Sequence, residues 1–186
     1  LRAGPGAKVG LAPGRYHLDP SAYTDPSCGN CEDPGQPVPA TLGLRISGEH
    51  VSIRGAGADV VEIHTHAGYG LLFEDCQDCL LEGVTVTGGV RDTSGMATDA
   101  AIVVRRSELT LLHCRVAGNL GDSATIERTV VGIMGLCGRE GSRVRASNCE
   151  FLRNSWDGIA LYRDAVAHIE DCVIDSWTSL AFHWDD

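Results

Sequence analysis

The sequence predicts an all-β solenoid, a parallel β-helix in which each sequence repeat forms one coil. Short segments recur in which a small residue precedes a strand with apolar first and third positions. A second short strand follows the first four of these segments after a polar turn. Glycine supplies 23 of the 186 residues, while aromatic residues make up 5% and charged residues 22%, which argues against a coiled coil or a disordered chain.

The first strand of each repeat shows the period of two that is typical of a strand with one buried face. It recurs at 70–73, 101–104, 132–135, 158–161 and 179–182, with Gly135 the weakest fit to the pattern. We expect its apolar pairs to face the interior: Leu71 and Phe73, Ile102 and Val104, Ile159 and Leu161, and Leu180 and Phe182.

The second strand of each repeat carries a cysteine in three of its four copies. Cys114, Cys149 and Cys172 take the slot that Val84 occupies earlier. A thiol at such a position behaves as a small apolar group, so we expect a buried column of cysteines on successive coils. Two-residue turn signals do not recur with the repeat, which favours parallel stacking over a meander of hairpins.

Three stretches resemble a known group of proteins. Residues 9–18 read VGLAPGRYHL, residues 51–63 read VSIRGAGADVVEI, and residues 154–174 read NSWDGIALYRDAVAHIEDCVI. They are similar to right-handed parallel β-helix proteins of the pectin-lyase-like superfamily. The resemblance implies a right-handed solenoid of about six coils. It leaves the activity open, because that superfamily includes polysaccharide lyases, glycoside hydrolases, epimerases, adhesins and proteins with no assigned activity.

The domain organisation that we expect is a single domain with two parts. Residues 1–41 would form an N-terminal cap strand and a loop rich in Cys and Pro, and residues 42–186 the coils. The repeat still runs at Asp186, so we expect the β-helix to continue beyond it. The longest apolar stretch, 129–137, is about half the length of a bilayer span, which predicts no transmembrane segment.

The charge balance limits the partners. Asp and Glu number 25 against 15 for Lys and Arg, a formal net charge of -10 that would repel a phosphate backbone. We therefore expect no nucleic acid and instead a polysaccharide or oligosaccharide, either uncharged or bridged by a cation. Because β-helices of this kind are usually exported, we expect a secreted, periplasmic or cell-surface protein.

Asp157 is the first catalytic candidate, because NSWDGI is similar to a motif of pectinolytic glycoside hydrolases whose carboxylate serves in acid-base catalysis. Their partner motifs are absent. Asp99 is the nearest second carboxylate, two coils away and so about 10 Å along the axis. The alternative is that Asp157 orders a turn through its side chain.

A β-elimination mechanism would instead need a cation to neutralise a uronate and an arginine as base. Arg128 is the candidate base, with Arg91 and Arg163 near the same face. Asp92, Asp99 and Asp157 would offer oxygen ligands to calcium. Arginines on a solvated surface are the alternative explanation, and no ligand spacing is diagnostic.

Aromatic residues supply the candidate substrate-binding strip. Trp156 and Trp177 occupy matching positions on adjacent coils, and Tyr162 matches His183. If they face outward, they suit stacking on the apolar faces of pyranose rings, with Arg91 and the loop 91–99 beside them. Burial under a loop is the alternative.

The remaining cysteines and two histidines leave alternatives open. The pairs Cys28/Cys31 and Cys76/Cys79 fit disulfides, a zinc site of four thiolates, or free thiols. Either crosslink between the pairs would hold the Pro-rich loop onto the second coil. His64 and His66 lie on one side of an extended segment, but without a third ligand we assign them to a polar loop and predict no metal site.

These features predict an exported β-helix that binds or processes polysaccharide on its lateral face, as a lyase or hydrolase. The alternative is a surface, adhesin-like or structural solenoid without catalytic activity.

Overall fold

The computed structural model describes residues 6–29, 31–92, 98–120, 132–175 and 180–182, the last of these as backbone only. Within these ranges the protein is built from strands, and no helix occurs that has the length and apolarity of a membrane span. The strands, in chain order, are β1 (Lys8–Leu11), β2 (Gly14–His17), β3 (Ser21–Asp25), β4 (Val38–Glu49), β5 (Ser52–Gly55), β6 (Val61–His64), β7 (Tyr69–Gln77), β8 (Cys79–Glu82), β9 (Thr85–Thr87), β10 (Ala100–Arg105), β11 (Glu108–Leu112), β12 (Arg115–Ala117), β13 (Met134–Arg139), β14 (Arg143–Ser147), β15 (Glu150–Leu152), β16 (Ile159–Leu161), β17 (Val166–Glu170), β18 (Val173–Asp175) and β19 (Leu180–Phe182).

These strands form three sheets that run the length of the described chain. Sheet 1 has the order β1-β5-β8-β11-β14-β17, sheet 2 the order β19-β16-β13-β10-β7-β4-β3, and sheet 3 the order β18-β15-β12-β9-β6-β2. Neighbouring strands are parallel except β3 and β4. One coil contributes a strand to sheet 2, then sheet 1, then sheet 3, as β7, β8 and β9 do. The prediction of a parallel β-helix is confirmed.

Each coil has three strands, one more than the repeat analysis identified. The missed strand belongs to sheet 1, where β11 and β14 alternate between buried and partly exposed residues. Leu109 and Leu111 pair with Val144 and Ala146 and face the interior with them. Short alternating segments such as these carry the same period of two as the strands that the sequence analysis found.

The third copy of the repeat lies three residues further along the chain than predicted. Ile159 pairs with Leu136, so the segment equivalent to 158–161 is 135–138 and not 132–135. Leu136 faces the interior with Ile102, whereas Met134 belongs to a separate cluster on the outward side of sheet 2. A shift by an odd number of residues exchanges the two faces of a strand. The three-residue shift therefore changes which side chains of this strand face the interior, and the burial of Leu136 in the interior fixes the register.

The interior is the apolar column that the sequence predicts. Leu71, Phe73, Ile102, Val104, Ile159 and Leu161 are all buried in one cluster, while the side chains of Leu180 and Phe182 lie outside the described residues. The cysteine column is also present. The backbone N–H of Cys114 donates to Sγ of Cys149, and that of Cys149 to Sγ of Cys172, both at 3.4 Å. Cys172, at the end of the column, is partly exposed.

A single left-handed residue turns the chain from sheet 1 into sheet 3. Gly83, His113, Asn148 and Asp171 precede the four slots of the cysteine column, and their φ angles lie between 51° and 64°. Gly, Asn and Asp tolerate this conformation better than most residues. The short turn keeps successive coils in register, because it needs no inserted residue.

The first coil begins before residue 42, within the region that the sequence analysis assigned to a cap. Strand β1 pairs with β5, and β2 pairs with β6, so both belong to the stack. The chain then forms an antiparallel hairpin of β3 and the first part of β4, which makes β3 the edge strand of sheet 2. We call residues 21–42 the covering segment, because its loop crosses the outward face of sheet 2.

Replacing Asn148 tests the left-handed turn. We expect Asn148→Val to lower the free energy of unfolding by about 1–2 kcal/mol, because a β-branched side chain is strained at positive φ. Asn148→Gly is the matched control and should unfold at the same urea concentration as the parent or a higher one. Equal midpoints for the two variants would show that residue 148 is not left-handed.

Candidate functional site

The long connections of the coil lie at one corner, between sheet 3 and sheet 2. The described residues of the connections 65–68, 88–99, 118–133 and 153–158 lie at this corner, which we call the loop edge. The connections at the two other corners have at most five residues, the longest being 56–60, whereas 88–99 and 118–133 span twelve and sixteen sequence positions. The insertions predicted before residues 101 and 132 lie largely outside the described residues, so their position on the same edge as Asp157 stays a prediction.

Asp99 and Asp157 stand at the loop edge, each just before a strand of sheet 2. The carbonyl of Asp99 accepts a hydrogen bond from the N–H of Met134, and that of Asp157 from the N–H of Gly135. Strand β13 lies between β10 and β16, so the two residues are two coils apart, as predicted. Both are buried, with 0% and 1% of their surface exposed. They do not line an open groove together.

The structure brings Asp99 together with Arg91 and Asp92 instead. Arg91 donates from Nη1 to Oδ2 of Asp99, and the N–H of Asp92 donates to the same oxygen at 2.7 Å. Asp92 accepts hydrogen bonds from the N–H and the hydroxyl of Thr41, at 2.8 and 2.7 Å. Arg91 is itself buried, so it lies beneath the surface on which the sequence analysis expected it to bind substrate.

Burial dominates the electrostatics of this cluster. It raises the pKa of Asp99 to about 7, against the attraction of the Arg91 guanidinium and with a further contribution from Asp92. A Cβ at Gly68 would overlap the carboxylates of both Asp92 and Asp99, which shows how closely they approach that backbone. Arg91 engages Oδ2 of Asp99 and Thr41 donates to both oxygens of Asp92. Within the described residues these two carboxylates therefore leave only Oδ1 of Asp99 without a hydrogen bond, far fewer than the six to eight oxygen ligands of calcium.

The aromatic candidates differ in exposure. Tyr162 is buried, with 3% of its surface exposed, and Trp156 is partly buried at the margin of the outward cluster of sheet 2. For Tyr162 the structure therefore favours the alternative of burial. Arg128, Trp177 and His183 lie outside the described residues, so their roles stay predictions.

Two buried asparagines, Asn119 and Asn154, form hydrogen bonds between successive coils beside the loop edge. The sequence analysis did not identify them. Asn119 accepts a hydrogen bond from the N–H of Gly89 at 2.9 Å and donates to Oδ1 of Asn154 at 2.8 Å. Asn154 donates in turn to the carbonyl of Val116. Both amides are buried. They link three successive coils at the point where the long connections begin.

Asp25 holds the covering segment against sheet 2. Its buried carboxylate accepts hydrogen bonds from Nη1 of Arg105 and from the hydroxyl of Tyr69, both at 2.7 Å, and from Nη2 of Arg139. The N–H of Ser27 donates to it at 3.0 Å. Desolvation by burial raises the pKa of Tyr69 far above its ordinary value, so Tyr69 remains a donor. The sequence analysis did not single out this network.

The two pairs of cysteines three residues apart form disulfides, Cys28–Cys31 and Cys76–Cys79, and Cys137 is a free buried thiol outside the column. This decides among the three alternatives for the two pairs. Each bond closes within one pair, so neither crosslink ties the Pro-rich loop to the second coil, contrary to the expectation. Hydrogen bonds hold the loop to later coils instead: Arg139 on β13 donates to the carbonyl of Ser27 at 3.1 Å, and Arg163, just after β16, donates to that of Cys31 at 2.7 Å.

A third histidine joins the pair that the sequence showed. His17 on β2 is the register partner of His64 on β6, which puts both rings on the outward face of sheet 3. Nδ1 of His17 lies 3.1 Å from Nε2 of His66, and one nitrogen from each of the three rings lies within 4.8 Å of the others. His17 and His66 are exposed, and His64 is partly buried. The hydrogen bond with His64 holds the pKa of Glu62 below its usual range, with Arg15 adding to the effect.

With this geometry in view, a comparison with known families identifies the chain. The family model described as "right handed beta helix region" matches residues 46–183. The chain belongs to that family. The search of curated proteins and the search of solved structures gave no significant match. Membership establishes a right-handed β-helix and, by itself, no activity.

Removing the carboxylate of Asp25 should loosen the covering segment of this β-helix. We expect Asp25→Ala to lower the free energy of unfolding by about 3–5 kcal/mol, because two buried guanidinium groups would lose their partner. Limited proteolysis should then cut within residues 21–42. Glu32→Ala, an exposed change in the same loop, is the control. Equal stability of the two variants would contradict this role of Asp25.

The raised pKa of Asp99 predicts a specific pH dependence of the stability. With a folded pKa of about 7 and an unfolded pKa near 3.9, the folded state binds more protons between these values. The free energy of unfolding should therefore fall as the pH rises from about 4 to about 7. Urea unfolding of Asp99→Asn should show a flatter profile across this interval. Parallel profiles for parent and variant would contradict a buried, raised Asp99.

Proposed function

We propose that this right-handed β-helix is an exported protein that binds polysaccharide at the loop edge, with Trp156 as an aromatic platform. The observation that carries the proposal is the position of Trp156. Trp156 is partly exposed on the connection 153–158, next to the buried Asp157 and against the outward apolar cluster of sheet 2. Long connections on a rigid scaffold are the usual carriers of binding residues.

An indole on a rigid coil suits a sugar ring. The backbone N–H of Trp156 donates to the carbonyl of Ile133 at 3.0 Å, and this hydrogen bond fixes the backbone of Trp156 to the neighbouring coil. A pyranose presents apolar C–H faces that pack on an aromatic ring with little cost in side-chain entropy. Trp177 and His183, one repeat further, would extend this platform along the axis, with Arg128 in the connection 118–133.

Binding is favoured over cleavage. Glycoside hydrolysis needs two carboxylates that reach the scissile bond from opposite sides. Asp99 and Asp157 are buried two coils apart, and Asp99 is engaged by Arg91. Without movement of the loop edge, neither carboxylate meets a polymer on the surface. We therefore favour the non-catalytic alternative over the lyase or hydrolase.

Charge and cysteine chemistry support the remaining parts of the proposal. The formal net charge of -10 favours a neutral glycan, or an anionic one bridged by a cation. Two disulfides between cysteines three residues apart are consistent with an oxidising compartment, which supports export.

The proposal is tested by substitution of the platform. We expect Trp156→Ala to weaken binding to the best ligand of a polysaccharide panel about tenfold or more, which corresponds to about 1.4 kcal/mol. Affinity electrophoresis or calorimetry measures this change. Val166→Ala is the matched control, since Val166 is an apolar residue of sheet 1 with 48% of its surface exposed. Its binding should equal that of the parent.

The same panel separates binding from turnover. Reducing-sugar release and absorbance of unsaturated products should both stay at background for the parent protein. Turnover that disappears in Asp157→Asn would overturn the non-catalytic assignment. Equal binding by Trp156→Ala, Val166→Ala and the parent, with unchanged thermal midpoints, would refute the loop edge as the glycan site.

A further inference from the structure

We propose that His17, His64 and His66 form a binding site for one divalent late transition metal ion, of which Zn²⁺ is the reference case. The site lies on the outward face of sheet 3, where β2 and β6 end. It does not rest on the glycan proposal, since it uses none of the residues proposed to bind sugar, although His66 belongs to the connection 65–68 of the loop edge.

The spacing of the three imidazoles suits a single ion. Nitrogens bound to one tetrahedral zinc at 2.0–2.1 Å lie about 3.3 Å from each other. The 3.1 Å between Nδ1 of His17 and Nε2 of His66 already matches that value. The third nitrogen lies within 4.8 Å of both, a gap that small rotations of the exposed rings would close. Without an ion, one of the two nitrogens must carry the proton that joins them.

The backbone fixes where the rings stand. His17 and His64 are register partners on neighbouring parallel strands, which lie about 4.8 Å apart. His66 is brought back to the same place by a left-handed turn, with a φ of 52°, and its N–H donates to the carbonyl of Gly88. The next coil has Thr87 in the register position of His64, so the histidine group ends there.

The structure also supplies the outer support that metal-binding histidines commonly have. Nε2 of His64 lies 3.0 Å from Oε2 of Glu62, and Nε of Arg15 lies 2.9 Å from the same oxygen. A histidine that donates one N–H to a carboxylate has its tautomer fixed and offers its other nitrogen to an ion. Nδ1 of His64 is that nitrogen, and Arg15 keeps the carboxylate in place.

The donor set selects the class of metal. Three neutral imidazoles suit Zn²⁺, Cu²⁺ or Ni²⁺, whereas Ca²⁺ and Mg²⁺ require oxygen ligands. Two of the three rings are exposed, so the fourth coordination position would face solvent and take water or a small ligand. Three protein ligands with one open position differ from the closed four-ligand sets of structural zinc sites.

The test uses tag-free protein that has been treated with a chelator and dialysed. Co²⁺ should bind with a stoichiometry of one and give visible d–d absorption, and Zn²⁺ should displace it. His17→Phe keeps an aromatic ring in the stack but removes a ligand, and it should abolish this absorption. Glu62→Gln should weaken Zn²⁺ binding about 10- to 100-fold. His168→Ala, an exposed histidine of sheet 1, is the control and should bind as the parent does.

Thermal unfolding gives a second readout, because an ion that binds only the folded state raises the midpoint with its concentration. The parent and His168→Ala should show this rise, and His17→Phe should not. Unchanged Co²⁺ binding by His17→Phe would overturn the proposal. Absorption typical of thiolate ligands, or no binding by the folded parent, would overturn it as well and leave the three rings as an aromatic stack.

Discussion

The buried carboxylate of Asp25 is the interaction on which the surface of this β-helix depends. It lies at 0% exposure between two guanidinium groups and the hydroxyl of Tyr69. Such a group is stable only while its partners are present, since one unpaired buried charge costs several kcal/mol. Arg105 and Arg139 come from successive strands of sheet 2, and Asp25 comes from the covering segment. The ion pairs therefore lock the segment in one place along the axis.

The covering segment makes sheet 2 different from the other two sheets. Leu72, Val103 and Cys137 point outward from its strands, yet they are fully buried in a second apolar cluster. Cys28, Val38 and Ala40 of the segment are buried in the same cluster and cover its outward side. The outward positions of β14 and β17 in sheet 1 are exposed or partly exposed instead, and so are those of β6 and β15 in sheet 3. The covering segment therefore closes the lateral face of sheet 2 over this second cluster.

Features with a short period could be predicted from the sequence, and features that join distant residues could not. The interior pairs and the cysteine column follow from alternation within single strands and from equivalent positions in the repeat. The contact of Asp25 with Arg139 spans more than half of the chain, and no local pattern marks it. His17 was missed for the same reason, although the register of β2 with β6 makes it the partner of His64. One local signal was available: apolar residues at Leu72 and Val103 show that strands of sheet 2 are buried on both faces.

The reactivity of Cys137 shows whether the covering segment lies on sheet 2, because this thiol is buried only if the segment lies there. Burial raises its pKa to about 12, which further slows its reaction. Timed alkylation of the native protein, read by mass spectrometry, would compare Cys137 with the partly exposed Cys172 and the interior Cys114. The account predicts that Cys137 is protected as strongly as Cys114 and that Cys172 reacts first. Cys137 reacting as fast as Cys172, while Cys114 stays protected, would show that the outward face of sheet 2 is open.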